Sequence, residues 1–342
     1  MYYVGCDQHK QYTVVTVKSK EGTVVSHKKL LHDDREELAR YFSRLPQDSA
    51  VLLEASGFAP WLADLIQELG FDVRLAHPLR TRAIAEEKIK TDKLSADILA
   101  DLLRANLVSK AYLATPEIRQ KRMRMRYRQS LVHMRTMAKN KIHSILAQLG
   151  LALPLATDLF GKAGREYLAS LTLASSYQKA LGGYLTLIDT ITPMVRALDV
   201  ELRKEVSGDE RLKLLMTVPG IGTVLSQLIL AEIGEIRRFS SSNRLASYAG
   251  MVPSLHQSGM IRRLGPITKQ GNRFLRWAFI EAAHVAARTD SYLAMYYHKV
   301  RRKKGAASAI TAVAHKLLIY MYHVLSKNEP YKRKMIQGRA SY

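Results

Sequence analysis

Hydrophobic positions in the first hundred residues come in short runs broken by polar turns. Tyr2–Cys6, Tyr12–Lys18 and Thr23–Lys29 are rich in β-branched and aromatic residues and predict three consecutive antiparallel strands, with Lys20-Glu21-Gly22 as a turn. From Asp33 to Arg44 the period changes to three and four. Leu38, Tyr41, Phe42 and Leu45 share a face there, with Asp33 or Asp34 as N-cap. Ala50–Glu54 predicts a short buried strand, Trp61–Leu69 a helix closed by Gly70, Phe71–Ala76 a fifth strand, and Leu94–Ala105 a helix. The order βββαβαβα describes a mixed sheet flanked by helices. It fits an α/β RNase H-like fold and, almost as well, half of an actin-like sugar kinase.

Beyond residue 105 the pattern is helical. Tyr177, Leu181, Tyr184, Ile188, Ile191, Val195, Leu198 and Leu202 are spaced alternately four and three, an a/d seam over more than three heptads. Leu131, Met134, Ala138, Ile142, Ile145 and Leu149 recur in the same way. The seam predicts either an oligomerisation coiled coil or an intramolecular helical hairpin, and Gly182, Gly183 and Pro193 disfavour a straight coiled coil. Val218-Pro219-Gly220-Ile221-Gly222 separates two helical runs, Leu212–Thr217 and Thr223–Ile233, as in a helix-hairpin-helix. In such a turn, backbone N–H groups around Gly220 and Gly222 bind a nucleic-acid phosphate. These shifts divide the chain at 1–115, 116–205 and 206–342.

Charge sharpens the picture. The 342 residues carry 53 Lys and Arg against 30 Asp and Glu, a formal net charge of +23. Such a field calls for a polyanion, nucleic acid before an anionic membrane. From Ile118 to Thr157 there is no acid, while Arg119, Lys121, Arg122, Arg124, Arg126, Arg128, Arg135, Lys139 and Lys141 accumulate. Further basic concentrations run from Arg262 to Arg276, including Arg263, Lys269 and Arg273, and over Arg301-Arg302-Lys303-Lys304. Like charges on one helix repel unless a partner neutralises them, and phosphates are the expected partner. A hydrophobic share of 47% excludes global disorder, and one cysteine excludes a disulfide framework or a Cys-based zinc finger. Met1 leads directly into strand-like residues, and no apolar run reaches the ~18 residues of a membrane span. The expectation is a protein of a reducing compartment, the bacterial cytoplasm, with no membrane partner.

Three carboxylates stand at structurally suggestive points: Asp7 after the first strand's apolar run, Glu54 at the end of the fourth strand, and Asp92 at the start of the last helix of the α/β region. Strands one and four are neighbours in this kind of sheet, which brings Asp7 and Glu54 together and lets Asp92 approach. Carboxylates that close stay ionised together only around a cation, and Mg²⁺ is the hard, oxygen-seeking choice. Each acid alone also reads as a turn residue, a surface acid or a helix cap.

The segments Val4-Gly5-Cys6-Asp7, Leu53-Glu54-Ala55-Ser56-Gly57 and Lys90-Thr91-Asp92-Lys93-Leu94-Ser95-Ala96 carry a resemblance. So do Val218–Gly222, Leu245–Pro253, Gln257-Ser258-Gly259 and Ile267-Thr268-Lys269-Gln270-Gly271-Asn272. In this order and spacing the chain resembles the DEDD-type insertion-sequence transposases, bridge-RNA-guided DNA recombinases that pair a RuvC-like domain with a serine-bearing C-terminal domain. The resemblance implies Asp7, Glu54 and Asp92 as Mg²⁺ ligands and Ser258 as the nucleophile on a DNA phosphate. It also implies donor and target duplexes and a guide RNA as partners, and a homo-oligomer, either a dimer or a tetramer built as a dimer of dimers. One departure stands out: the fourth acid of the family frame is Ser95 here, with Asp97 two residues on and Asp101 a turn beyond. On a helix Ser95 and Asp97 point about 200° apart. Asp97 is therefore a fourth metal ligand only with a local shift, and the alternatives are Asp101, a water on Ser95, or a site of three acids. His256, two residues from Ser258, is placed to assist it. Arg122, Arg126 and Lys139 in the basic stretch and Arg262, Arg263, Lys269 and Arg273 near the serine are the expected phosphate contacts. A junction nuclease using water, and a non-catalytic RNA-binding protein on a decayed scaffold, remain as alternatives. A sugar kinase fits neither the charge nor the absence of a phosphate loop.

Overall fold

The computed structural model describes residues 1–78, 81, 92–154, 158–258 and 261–332, and of residues 92–94, 255–258 and 261–264 the backbone alone. The chain forms two compact units, Met1–Ala114 and Thr115–Tyr342.

The first unit is the expected α/β layer structure. Its strands are β1 (Tyr3–Gln8), β2 (Tyr12–Lys18), β3 (Val24–Leu31), β4 (Ala50–Glu54), β5 (Asp72–Ala76) and the two-residue β6 (Lys110–Ala111), which the residue pattern did not announce. They form one sheet in the order β3-β2-β1-β4-β5-β6. β1, β2 and β3 are antiparallel, whereas β1, β4 and β5 are parallel. Alternation sends Val4, Cys6, Val15, Val17, Val51, Leu53 and Leu75 to one face. There they pack with Leu38 and Phe42 of α1 (Arg35–Ser43) and Leu62 and Ile66 of α2 (Ala59–Glu68). Asp34 caps α1 by accepting from the Glu37 amide at 2.7 Å. The other face carries Ala50, Leu52 and Ala76, covered by Leu99, Leu102 and Leu103 of α3 (Asp92–Arg104). Gly5 makes that approach close, since a Cβ there would lie 2.0 Å from the Ala96 carbonyl oxygen and 2.5 Å from the Ala100 nitrogen.

The second unit opens with α4 (Pro116–Gln148), capped by Thr115, followed by α5 (Lys162–Ser170) and α6 (Ser175–Val206). α4 and α6 pack as an antiparallel hairpin. Leu131 meets Ile191 and Val195, and Ala138, Ile142 and Leu146 meet Leu181 and Ile188. The a/d seam is thus covered within the chain by α4, the hairpin alternative. α6 runs on through Pro193 because Ile191 and Val195 are buried on either side of it. Then come α7 (Glu210–Met216), α8 (Thr223–Ile233), a 3₁₀ turn at Ile236–Arg238 and α9 (Ser242–Tyr248). The hairpin β7 (Pro253–Ser258) and β8 (Ile261–Ile267) follows, and then α10 (Arg273–Thr289) and α11 (Ser291–Lys327). Small residues Ala278, Ala282, Ala283 and Ala286 let α10 sit deep among its neighbours. Among the described residues α11 alone has the length and hydropathy of a membrane span, and its apolar stretch is core here, with Val313, Ala314, Leu317, Leu318 and Met321 fully buried.

Candidate active site and nucleic-acid contacts

In the first unit β1 and β4 run parallel in register through Cys6 opposite Leu53. The next residues, Asp7 and Glu54, therefore stand side by side at the carboxyl ends of the two strands, on the face that α3 covers. The direction of α3 follows from two contacts. Gly5 lies beneath Ala96 and Ala100. Lys18, which pairs with Tyr3 at the start of β1, reaches Asp97 at 2.8 Å and Asp101 at 2.5 Å. The later turns of α3 thus overlie the beginning of β1, and its first residue, Asp92, lies toward the strand ends that carry Asp7 and Glu54. A helix N-terminus directed at carboxylates is electrostatically favourable. The Asp92 side chain lies outside the described residues. His9 Nε2 is 3.4 Å from Asp7 Oδ2, and the Asp7 side chain is only 13% exposed.

Two neighbouring carboxylates at the ends of two central strands, with a third acid on the helix that covers them, are a fitting set of hard oxygen donors for a divalent cation. Among the described residues no group of three or more metal-ligating side chains assembles. Beneath the site Cys6 is buried, and burial first, then the Asp7 charge, push its thiol far above the ordinary range, so it stays neutral.

Asp97 must be withdrawn from the ligand set. It and Asp101 clamp the Lys18 ammonium, whose side chain is 6% exposed. Burial acts to lower the Lys18 pKa, but the hydrogen bonds to Asp101 and Asp97 outweigh it and raise it. A carboxylate committed to a buried lysine over the far end of β1 does not turn toward Asp7. Ser95 is half-buried one turn beyond Asp92.

In the second unit Ser258 is the last residue of β7, opposite Ile261, and His256 is opposite Arg263. Strand alternation puts Ser258, His256 and Arg263 on one face of the hairpin, and Gln257 and Arg262 on the other. The Ser258, Arg262 and Arg263 side chains lie outside the described residues, as does the turn at Gly259.

The basic stretch is corrected more sharply. Arg122 donates to the carbonyls of Ala231 and Glu232 at 2.7 and 3.0 Å. Arg126 grips the fully buried Glu232 carboxylate with two bonds of 2.7 and 2.8 Å. Arg128 bonds Asp199 at 2.6 Å, and Arg124 forms a bidentate pair with Glu205. Arg122 and Arg126 are therefore internal anchors of α4 and not phosphate contacts. The repulsion foreseen along this helix is relieved by acids of α6 and α8. Lys139 keeps its ammonium 4.5 Å over the Phe160 ring.

Glu232 escaped the residue pattern, although an isolated acid in the apolar run of α8 and two arginines one turn apart were its signals. It also accepts from the Asn272 amide at 2.7 Å, while Asn272 caps α10 through the amides of Phe274 and Leu275. The buried carboxylate thus ties α4 and α8 to the segment leaving the β7–β8 hairpin. Lys269 and Arg273 stand exposed on either side of that cap. Gly220 has φ +82, and a Cβ there would meet the Ala282 carbonyl oxygen at 2.2 Å. The turn between α7 and α8 therefore packs directly on α10. Gly222 caps α8 without a side-chain bond and with open space around it.

Two family models match the chain, one described as a transposase of the IS110 DEDD type over residues 4–150, the other as the transposase IS116/IS110/IS902 family over residues 212–298. The chain belongs to this transposase family. A probable family 20 transposase of Pseudomonas aeruginosa is 28% identical over 96% of this chain and 98% of its own length. The transposase for insertion sequence element IS1328 of Yersinia enterocolitica is 25% identical over 82% of this chain and 83% of its own. A pilin gene-inverting protein of Moraxella bovis is 32% identical over a shorter stretch, 37% of this chain and 40% of its own. The transposase is thus an enzyme that cuts and rejoins DNA, and its DEDD-type first unit points to a divalent metal.

Proposed function

We propose that this transposase cuts DNA with Mg²⁺ held by Asp7, Glu54 and Asp92 and carries the cut strand on Ser258 before rejoining it. The observation that carries the first half is the register of β1 and β4, which sets Asp7 and Glu54 side by side beneath the helix that begins at Asp92. When bound there, Mg²⁺ would withdraw electron density from a phosphate oxygen and favour displacement at phosphorus. The acids orient and neutralise. The serine hydroxyl attacks phosphorus, its proton ends on the departing deoxyribose oxygen, and one phosphate ester replaces another, so rejoining needs no ATP. Arg263, on the Ser258 face of the hairpin, and Lys269 and Arg273, near its base, would neutralise the phosphate backbone. Gly222, at an open helix start, supports a phosphate contact of the helix-hairpin-helix kind. The guide RNA enters on the resemblance alone. A multimer follows from the need to hold two duplexes. It is supported by Met123, Tyr127, Met134 and Met137, all exposed along one flank of α4 beside the face that packs on α6.

The test is a suicide DNA substrate incubated with the protein, its co-purified RNA and Mg²⁺, with any covalent adduct mapped by mass spectrometry. Adduct on Ser258 that disappears in Asp7→Asn is the expected result. Cleavage that survives Ser258→Ala would mean a water nucleophile. Cleavage unaffected by Asp7→Asn would remove the metal site.

A further inference from the structure

Among the described residues, the charged surface with the least internal employment is in α11. This helix contains Gly305 at φ 80 and ψ 168, which breaks it into two arms. Tyr292 and Lys316 would be about 36 Å apart in one straight helix. Instead Lys316 Nζ lies 3.2 Å from the Tyr292 hydroxyl and 4.6 Å over the Tyr296 ring, so the second arm returns along the first. Residues 301–308 at the turn are all exposed, and a Cβ on Gly305 would meet nothing within 4 Å. The return arm is anchored by Val313, Leu317 and Met321 in the core. The tip is therefore a finger carried on a fixed stem, reaching roughly 12 Å along the first arm beyond Tyr296.

That finger carries Lys299, Arg301, Arg302, Lys303 and Lys304, and no Asp or Glu occurs from Ser291 to Asn328. None of the five side chains has an ion pair, hydrogen bond or ring contact among the described residues. The contrast with α4 is decisive, because Arg122, Arg124, Arg126 and Arg128 are each bonded to an acid or carbonyl of their own unit. At about 100° per residue the five cations point to all sides of the tip. A solvated face offers charge in one direction; this tip offers it in every direction, which suits a partner with anions on both flanks.

We propose that the 299–304 finger grips duplex DNA by its phosphates, resting across a groove with cations toward both rims. The B-form major groove, about 12 Å wide, admits a helical element, and its rims carry one charge per ~1.7 Å of axis. The deep, narrow major groove of A-form RNA does not admit one. The contact supplies affinity and positioning without reading bases. It rests on DNA as the substrate, but not on how the strands are cut.

The test is duplex DNA binding as a function of salt, using the full-length protein in an Asp7→Asn background so that cleavage does not intervene. The variant is Arg301→Gln/Arg302→Gln/Lys303→Gln/Lys304→Gln. The slope of log K against log salt should flatten by about 0.9 for each phosphate no longer neutralised, so by about 3 to 4, with at least a tenfold weaker affinity at physiological salt. A control with the same reduction of charge at scattered exposed lysines, Lys20→Gln/Lys162→Gln/Lys179→Gln/Lys204→Gln, should keep nearly the parental slope. Should the fourfold variant misfold by circular dichroism, Arg301→Gln/Arg302→Gln and Lys303→Gln/Lys304→Gln separately should each remove about half of the slope change. An unchanged slope, an equal effect in the control, or a defect confined to RNA would overturn the proposal. Cleavage persisting in Asp7→Asn would instead count against the metal site and leave the salt slopes interpretable.

Discussion

At the scale of single residues, charge is sorted by whether a side chain finds its counter-ion inside the fold. Asp7 and Glu54 lie at strand ends under α3, so Asp7→Asn and Glu54→Gln should each lower strand cleavage by orders of magnitude while thermal unfolding and DNA retention stay near the parental values. Asp97 should behave in the opposite way. Asp97→Asn/Asp101→Asn leaves the buried Lys18 ammonium without a counter-charge, which should cost about 3 kcal/mol in urea unfolding. Adding Lys18→Met should recover most of that stability, since the unpaired charge is then gone. The Mg²⁺ concentration needed for half-maximal cleavage should not change in Asp97→Asn alone, and a large increase there would return Asp97 to the ligand set. The pH sign follows from the raised Lys18 pKa. Its stabilisation is complete below the ordinary lysine value of 10.5 and fades as pH rises through the higher folded value. Destabilisation above that point should therefore be weaker in Lys18→Met than in the parent.

At the scale of elements, the α4–α6 hairpin and the α7–α8 turn make separable predictions. Ile142 and Ile188 are buried against each other's helices, and Ile142→Ala should cost about 2–4 kcal/mol through the cavity it leaves. The hydrogen bond from Arg124, then its charge, lowers the Glu205 pKa. The pair's contribution is present above the ordinary glutamate value of 4.5 and is lost as pH falls through the lower folded value, a change that Glu205→Gln should remove from the helicity profile. Gly220→Ala should lower the melting temperature, because the strain is against the backbone of α10 at a positive φ. A DNA-binding defect there without destabilisation would mean the turn serves phosphate first. Much of this was legible beforehand. β1 to β5 and α1 to α3 follow from the change of period between two and three or four, because each buries one face. β6 was not, since two residues show no alternation. The partner of the heptad seam was also hidden, because an a/d stripe looks the same whether a second copy or the same chain covers it. The basic helix misled for a related reason: the spacing of Arg122 and Arg126 and the lone acid of α8 were each visible, but nothing paired them across more than a hundred residues.

At the scale of the whole molecule, a net charge of +23 survives the internal pairing and is carried by surfaces such as the 299–304 finger. The proposed multimer would use the exposed flank of Met123, Tyr127, Met134 and Met137, so Met134→Glu/Met137→Glu should shift sedimentation toward the monomer. Metal removal separates catalysis from folding. The buried charges that hold each unit, Lys18 in the first and Glu232 in the second, are satisfied by side chains of the same unit, so neither requires a cation. EDTA should therefore abolish cleavage without unfolding either unit. Mg²⁺ binding only the folded first unit should then add stability by mass action, up to about 2.7 kcal/mol at a hundredfold excess over its dissociation constant. That gain should vanish in Asp7→Asn and persist in Ser258→Ala, because the acids alone hold the ion. A metal-induced rise in melting temperature that survives Asp7→Asn would place the cation elsewhere, and one that is abolished in Ser258→Ala would make the serine part of its coordination.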